Sequence, residues 1–186
     1  SIKAPRSAKR KEKTMQKVGI YYAYWTREWD VDFVPFVKKI KNLGFDQLEI
    51  NGGTLVDMKK QERDRLKDES DSEGISLSYG IGLTAQRDVS SLDETIRKNG
   101  LQYMSRMIKA VGEMGGGMIG GTIHSYWPGV MPENLDDKSP IWDQSIRSMK
   151  ELLPVAADND VVLNVEVINR FEQFLIDTAR EALEYV

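Results

Sequence analysis

The sequence predicts an α/β fold in which parallel strands alternate with helices, as in about the first five βα units of a (β/α)8 TIM barrel. Short apolar, β-branched runs alternate with longer amphipathic segments from residue 17 to residue 186. Each pair of parallel strands needs a crossover, usually a helix, to return the chain, so this alternation predicts a parallel sheet. Polar and aromatic residues gather where the strands end, which favours a barrel with one site at that edge.

Five runs are typical of strands and five segments are typical of helices. The strand-like runs are 17–25, 47–52, 75–82, 117–127 and 161–167. The helix-like segments are 30–45, 59–74, 90–115, 139–160 and 174–186. Ser91 and Glu94 have the spacing of a capping box at the start of the third helix.

Two architectures fit this order of elements, an open doubly wound sheet and a barrel. A doubly wound sheet of five strands would be complete at this length. The barrel is favoured because polar and aromatic residues cluster at the strand ends: Tyr24, Trp25, Asn51, His124, Trp127, Glu166 and Asn169. Eight units of this size need roughly 275 residues, within the range of such barrels. The sequence therefore predicts that residues 15–186 are the N-terminal part of a barrel domain.

Composition favours a cytoplasmic protein without a membrane span. The 186 residues are 40% hydrophobic and 30% charged, and they include no cysteine. No apolar run reaches the length of a bilayer-spanning helix, and the N-terminus lacks the apolar core of a signal peptide. Disulfides and thiolate metal sites are excluded.

The first 14 residues carry six basic side chains and one acidic side chain. A basic arm could bind nucleic acid or anionic lipid. A disordered tail or a non-native extension is the simpler interpretation, because so few charges on a flexible arm give only salt-sensitive, unspecific binding. We therefore expect neither a nucleic acid nor a membrane partner.

Three features of the C-terminal half leave more than one interpretation open. Glu166 follows an apolar run, where a carboxylate must be paired, protonated or bound to a metal. Glu172 could be a solvated residue that favours the start of a helix. His124, the single histidine, is expected to be a hydrogen-bonded residue at a pocket rim rather than a metal ligand. The glycine-rich stretch 112–121 lacks the Lys-Ser/Thr of a phosphate loop, so a tight turn is expected there.

Three motifs carry a resemblance to a known family. GIYYAYWTREW (19–29), GGTIHSYWPG (120–129) and VEVINRFEQFLIDTAREALEYV (165–186) stand in register, and the likeness covers residues 17–186. Together they resemble the ketose 3-epimerases, the D-tagatose and D-psicose (allulose) 3-epimerases. These are TIM barrels of the xylose-isomerase-like superfamily.

The resemblance implies an activity and a set of site residues. The family reversibly inverts carbon 3 of free ketohexoses through an enediolate, as in D-fructose/D-psicose and D-tagatose/D-sorbose, with manganese or cobalt. Glu166 matches a metal-binding glutamate that is also one of two acid/base residues. The substrate-binding positions match Tyr21, Trp29, Thr122, Trp127 and Glu172, with Thr122 at a backbone-contact position. Family members are commonly dimers or tetramers.

The remaining family ligands, a second glutamate, an aspartate and a histidine, belong to strands that the 186 residues do not include. We therefore expect the chain taken alone to be inactive. Two other interpretations remain: another sugar isomerase or metal-dependent hydrolase of the same superfamily, and a non-catalytic half-barrel.

Overall fold

A computed structural model describes residues 16–186 and shows one parallel sheet of five strands. The strands are β1 (Gly19–Tyr21), β2 (Gln47–Asn51), β3 (Ser76–Leu83), β4 (Gly117–Tyr126) and β5 (Val161–Val165). The helices are α1 (Val34–Asn42), α2 (Gly52–Asp57), α3 (Lys60–Glu73), α4 (Glu94–Glu113), α5 (Ser139–Ala157) and α6 (Ala179–Tyr185).

The strands lie side by side in the order in which the chain makes them, and every pairing is parallel. A doubly wound sheet reverses its strand order at a switch point, whereas a barrel adds each strand beside the last. The order therefore confirms the predicted partial (β/α)8 barrel over the described residues and rules out the open doubly wound sheet.

The strand register places two rows of residues on the concave face of the sheet. Tyr21, Glu49 and Ser78 are paired across the first three strands and form the lower row. The next row consists of Asn51, Gly80, Gly120 and Asn164. Paired residues in a parallel sheet point to the same face. The side chains of Glu49 and Ser78 thus lie one layer below a row that contains Gly80 and Gly120.

The hydrophobic core lies between the opposite face of the sheet and the helices. Leu48 and Ile50 of β2 are fully buried there and belong to the same hydrophobic cluster as Met104, Met107 and Ile108 of α4. These helix residues recur at three- and four-residue intervals, so they form one apolar face of α4. The core fixes α4 against the sheet and leaves the concave face free for a site.

The glycine-rich stretch between α4 and β4 forms a tight turn, as predicted. Gly115, Gly116 and Gly117 have φ values of +101°, +82° and +138°. A Cβ on Gly116 would lie 2.6 Å from the carbonyl oxygen of Asp160. The turn is at the N-terminal end of β4, so these three glycines lie at the opposite end of the strand from the polar strand ends.

The first βα unit differs from the prediction. The strand ends at Tyr21 because a 3₁₀ turn follows at Tyr22–Tyr24. Tyr22 is fully buried, as expected for a packing residue, but Tyr24 is 78% exposed. Because β1 ends at Tyr21, Tyr24 does not lie at the end of a strand, where the sequence predicted it.

Two further local predictions are corrected. The short helix α2 follows β2 directly and was not expected, because its GG start is poor helix sequence. Asn51 caps it by accepting a hydrogen bond from the Thr54 N–H at 3.0 Å. The cap of α4 is Asp93, which accepts from the N–H groups of Thr95 and Ile96, so the Ser91–Glu94 capping box is wrong.

The C-terminal elements are shorter than predicted. β5 ends at Val165 rather than at residue 167, and α6 begins at Ala179 rather than at residue 174. A loop of irregular backbone therefore joins them, and a buried glutamine fixes this loop. Gln173 donates to the Tyr126 carbonyl at 2.9 Å and accepts from the N–H groups of Phe174 and Leu175.

The predicted basic arm, residues 1–14, lies outside the described residues. None of the helices that the structure describes is long and apolar enough to cross a membrane.

Candidate functional site

A cavity of about 670 Å³ opens on the concave face, along the strands and beyond their C-terminal ends. This size is typical of small-molecule sites. All six residues predicted for the site line it: Tyr21, Trp29, Thr122, Trp127, Glu166 and Glu172. The elements that hold them are β1, β4 and the segments that follow β1, β4 and β5.

Two tryptophans form the outer wall of the cavity. Trp29 is 59% exposed and Trp127 is 40% exposed, so both indoles reach solvent at the rim. Trp127 packs on Gly82, where an added Cβ would lie 3.3 Å from two of its carbon atoms. The backbone N–H of Trp127 donates to the Leu83 carbonyl, so the wall is attached to the end of β3.

Glu172 is held by two side-chain donors. The Trp127 indole N–H donates to its Oε2 at 3.0 Å, and the Asn169 amide donates to its Oε1 at 2.7 Å. Because α6 starts seven residues later, the interpretation of Glu172 as a helix-start residue is wrong. The arrangement fixes a carboxylate at the rim of the cavity, beside the tryptophan wall.

Glu166 lies at the first position after β5, and its backbone N–H donates to the Gly121 carbonyl at 3.1 Å. Its side chain is exposed to the open cavity. The concave face of β5, the last strand of the described sheet, borders the cavity. Among the described residues, no ion pair neutralises Glu166, so the structural ion-pair interpretation has no support.

Glu49 is a third carboxylate in the cavity, which the sequence analysis missed. It is half-buried in the lower row of the concave face, between Tyr21 and Ser78. Burial raises its pKa, and the negative charge of Glu166 raises it further. One signal was present: in QLEIN, period-two alternation places Glu49 on the same face as Asn51, at a predicted strand end.

Tyr21 lies beside Glu49 at the floor of the cavity. Burial raises the pKa of its phenol, and Tyr22 and Glu49 also contribute to the increase. The phenol therefore stays protonated at neutral pH.

Thr122 is the most deeply placed of the predicted residues. It is 2% exposed, and its Oγ1 has no hydrogen-bond partner among the described residues. A buried hydroxyl without a partner costs free energy, of the order of 1–3 kcal/mol. The hydroxyl is thus an unsatisfied polar group in the wall of the cavity, beside the Trp127 side chain, whereas the expected contact there concerned only the backbone.

His124 does not lie at the pocket rim, so that expectation is wrong. Its imidazole is fully buried behind the sheet, 6.1 Å from the ring of Tyr185, and neither ring nitrogen has a partner among the described residues. Burial lowers its pKa to about 4. A neutral imidazole packed in this way serves the attachment of α6 rather than the cavity.

The residues present supply only part of a metal site. Within residues 16–186 there is no group of three histidine, cysteine, aspartate or glutamate side chains that could hold an ion. Divalent cations such as manganese prefer several oxygen or nitrogen ligands from the protein. Glu166 and Glu49 alone do not meet this requirement.

Comparison with known proteins gives a consistent result. Residues 37–186 match the family of the Xylose isomerase-like TIM barrel. The chain is 38% identical over 170 residues to D-psicose 3-epimerase of Ruminiclostridium cellulolyticum, covering 91% of this chain and 58% of the relative. It is 33% identical over 172 residues to D-psicose 3-epimerase of Enterocloster bolteae, covering 91% of this chain and 57% of the relative.

A solved structure supports the same relationship. The D-psicose 3-epimerase of Clostridium cellulolyticum H10, crystallised with D-tagatose, superposes with a TM-score of 0.87 at 37% identity. The alignment covers 91% of this chain and 58% of that structure. The chain therefore spans a little over half the length of the relatives that it matches. By its fold and its sequence, this chain belongs to the xylose isomerase-like TIM barrel family. Its similarity to the D-psicose 3-epimerases confirms the resemblance inferred from its motifs.

Proposed function

We propose that the whole protein is a ketose 3-epimerase that acts on free ketoses such as D-fructose and D-psicose, or D-tagatose and D-sorbose. The observation that carries this proposal is the cavity at the strand ends. It combines an outer wall of two tryptophans with three carboxylates, Glu49, Glu166 and Glu172. The similarity to D-psicose 3-epimerases supports the same assignment.

The charge of the cavity favours a neutral sugar over a sugar phosphate. Among the described lining residues there is no lysine, arginine or histidine. Phosphate groups are bound by such cations or by helix N-termini, and a carboxylate-rich cavity repels them. Hydroxyl groups, by contrast, donate readily to carboxylates, and sugar rings or chains pack on indoles.

The proposed reaction removes the proton from carbon 3 and returns it on the opposite face of the planar enediolate. Glu166 is proposed as one acid/base residue, since its carboxylate stands in the cavity on a strand end that the β4 ladder positions. Glu172 is proposed to accept hydrogen bonds from substrate hydroxyls, since Trp127 and Asn169 fix its orientation. The second acid/base carboxylate is expected outside the 186 residues, as the resemblance implies.

A divalent cation, manganese or cobalt, is part of the proposal for the whole protein. When bound, such a cation polarises the ketose carbonyl and stabilises the enediolate. Glu166 would be one of its ligands, and the described residues do not complete the set. We also propose that the whole protein forms dimers or tetramers, as the resemblance implies.

The test is to incubate the whole protein with D-fructose or D-tagatose in deuterated water and to analyse the products by chromatography and NMR. We expect the carbon 3 epimer, with one solvent deuterium at carbon 3. Glu166→Gln should reduce the rate by at least about a hundredfold, because a positioned acid/base group contributes that much. Glu73→Gln, on α3 and outside the cavity, is the matched control and should leave the rate unchanged.

Two results would contradict the proposal. An aldose product that carries solvent deuterium at carbon 2 would indicate an aldose–ketose isomerase of the same superfamily. Absence of any exchange at carbon 3 would exclude epimerisation there. For the 186-residue chain alone we expect no substantial activity, and turnover of D-fructose by that chain would overturn this expectation.

A further inference from the structure

We propose that Glu49 and the hydroxyl group of Thr122 form a second hydroxyl-binding site for the ligand, on the floor of the cavity over the glycines of β3. This inference rests on the proposed function, and it adds two residues that select the substrate. It differs from the expectation for Thr122 from the sequence, which concerned only its backbone.

The two polar groups flank one groove. A Cβ on Gly80 would lie 2.7 Å from Oε1 of Glu49, so the carboxylate occupies the space that any side chain at this position would fill. A Cβ on Gly82 would lie 3.4 Å from Oγ1 of Thr122. Residues 80 and 82 point to the same face of β3, roughly 7 Å apart. Glu49 and Thr122 therefore border neighbouring glycines of β3, with Trp127 packed over Gly82 beside the Thr122 hydroxyl, at a separation that a polyhydroxylated chain spans.

Glu49 has no donor of its own in the described part of the chain. Its carboxylate is half-buried and accepts no hydrogen bond from a described residue. A carboxylate removed from water in this way is costly unless donors are supplied. The hydroxyl groups of a sugar are suitable donors, because one carboxylate can accept from two neighbouring hydroxyls.

Thr122 provides an independent observation that points to the same ligand. Its side chain is almost completely buried, it lines the cavity, and its Oγ1 has no partner within residues 16–186. A hydroxyl group both donates and accepts, so a sugar hydroxyl is its natural partner. A site built in this way rejects ligands that lack the matching hydroxyl, because the buried protein groups then remain unpaired.

The experiment measures KM and kcat of the whole protein for D-fructose and for its monodeoxy analogues at carbons 1, 4, 5 and 6. The variants are Glu49→Gln, Thr122→Val and Thr122→Ser. Glu73→Gln and Thr95→Val, both outside the cavity, are matched controls for the chemical change. Thermal unfolding of each variant checks that it folds.

We expect Glu49→Gln to raise KM by roughly ten- to a hundredfold, as for the loss of hydrogen bonds to a charged acceptor, with kcat changed by much less. Thr122→Val should raise KM by about three- to tenfold, and Thr122→Ser should restore it. For one deoxy analogue, the native protein should show the same rise in KM that the substitution causes with D-fructose. The variant that lacks the group binding this hydroxyl should show no further rise in KM with that analogue. This coupling would not arise from a merely structural role.

Several results would overturn the inference. The first is an unchanged KM in both Glu49→Gln and Thr122→Val. The second is a rise in KM that is the same for every deoxy analogue. The third is a loss of Mn²⁺ affinity in Glu49→Gln when no sugar is present. The last would make Glu49 a cation ligand. If the native protein binds D-fructose in calorimetry but does not epimerise it, the proposed function fails, and the same variants then test the hydroxyl site through Kd. If it does not bind ketoses, both proposals fail.

Discussion

At the residue scale, the cavity holds its carboxylates in different ways. Glu172 is fixed by an indole and an amide, Glu166 stands exposed after a strand end, and Glu49 is half-buried over a glycine. These environments suit different tasks. A fixed and hydrogen-bonded carboxylate orients a ligand, whereas an exposed carboxylate on a rigid strand end is free to exchange a proton or to bind an ion.

His124 predicts a pH dependence of stability at the same scale. Its pKa is about 4 in the folded protein, against an ordinary value of 6.5, because burial disfavours the charged imidazole. Between these values the unfolded chain binds a proton that the folded chain does not. Stability therefore falls as the pH drops from about 6.5 to about 4, by roughly 3 kcal/mol from this group.

The measurement is urea unfolding of the 186-residue chain and of His124→Phe from pH 7.5 to pH 4. The native chain should lose more stability than the variant over this interval, and the difference isolates the single histidine from the carboxylates. His124→Gln serves if the phenylalanine variant does not fold. Equal slopes for the native chain and the variant would show that the imidazole titrates normally.

At the scale of elements, β3 and β4 approach each other so closely that one position requires glycine. Gly121 has a φ of +116°, and a Cβ there would lie 2.1 Å from the carbonyl oxygen of Ile81. The residues that follow on β4, Thr122 to Ser125, are buried. The close approach of the two backbones thus sets the position of Thr122 in the cavity.

We expect Gly121→Ala to destabilise the protein by more than about 3 kcal/mol, because the clash is with backbone and φ is unsuitable for alanine. Gly44→Ala is the matched control. Gly44 also has a positive φ, +85°, but nothing lies within 4 Å of an added Cβ. The Gly44→Ala substitution should reduce stability by only about 1–2 kcal/mol, the penalty of the left-handed conformation alone. Chemical denaturation of both variants tests this, and equal losses would contradict it.

At the scale of the whole molecule, the described residues make a sheet with a closed face and an open face. The helices cover one side, and the concave side carries three carboxylates without a cationic side chain among the residues that line it. Such an arrangement attracts cations and hydroxyl donors. It does not by itself hold a cation, since three ligating groups do not converge within residues 16–186.

We therefore expect the 186-residue chain to gain little from manganese. Its Tm should shift by less than about 2 °C in 1 mM MnCl₂, because a weak site with a Kd near that concentration stabilises by only about 0.4 kcal/mol. The whole protein should shift by several degrees, and Glu166→Gln should reduce that shift. A large shift in the 186-residue chain would show that its own residues complete a metal site.

The sequence by itself determined the alternation of strands and helices, the parallel sheet and six of the residues that border the cavity. Periodicity is a local property, and the motif VEVINRFE places Glu166 at the end of a strand and Glu172 in the segment that follows it. The tertiary structure decided what depends on distant contacts: the burial of His124 behind the sheet and the surroundings of Glu49. Glu49 gains its environment from Gly80, 31 residues away, because the register of β2 and β3 brings them together. Pairing between strands is not written in local propensity, so only the folded sheet reveals it.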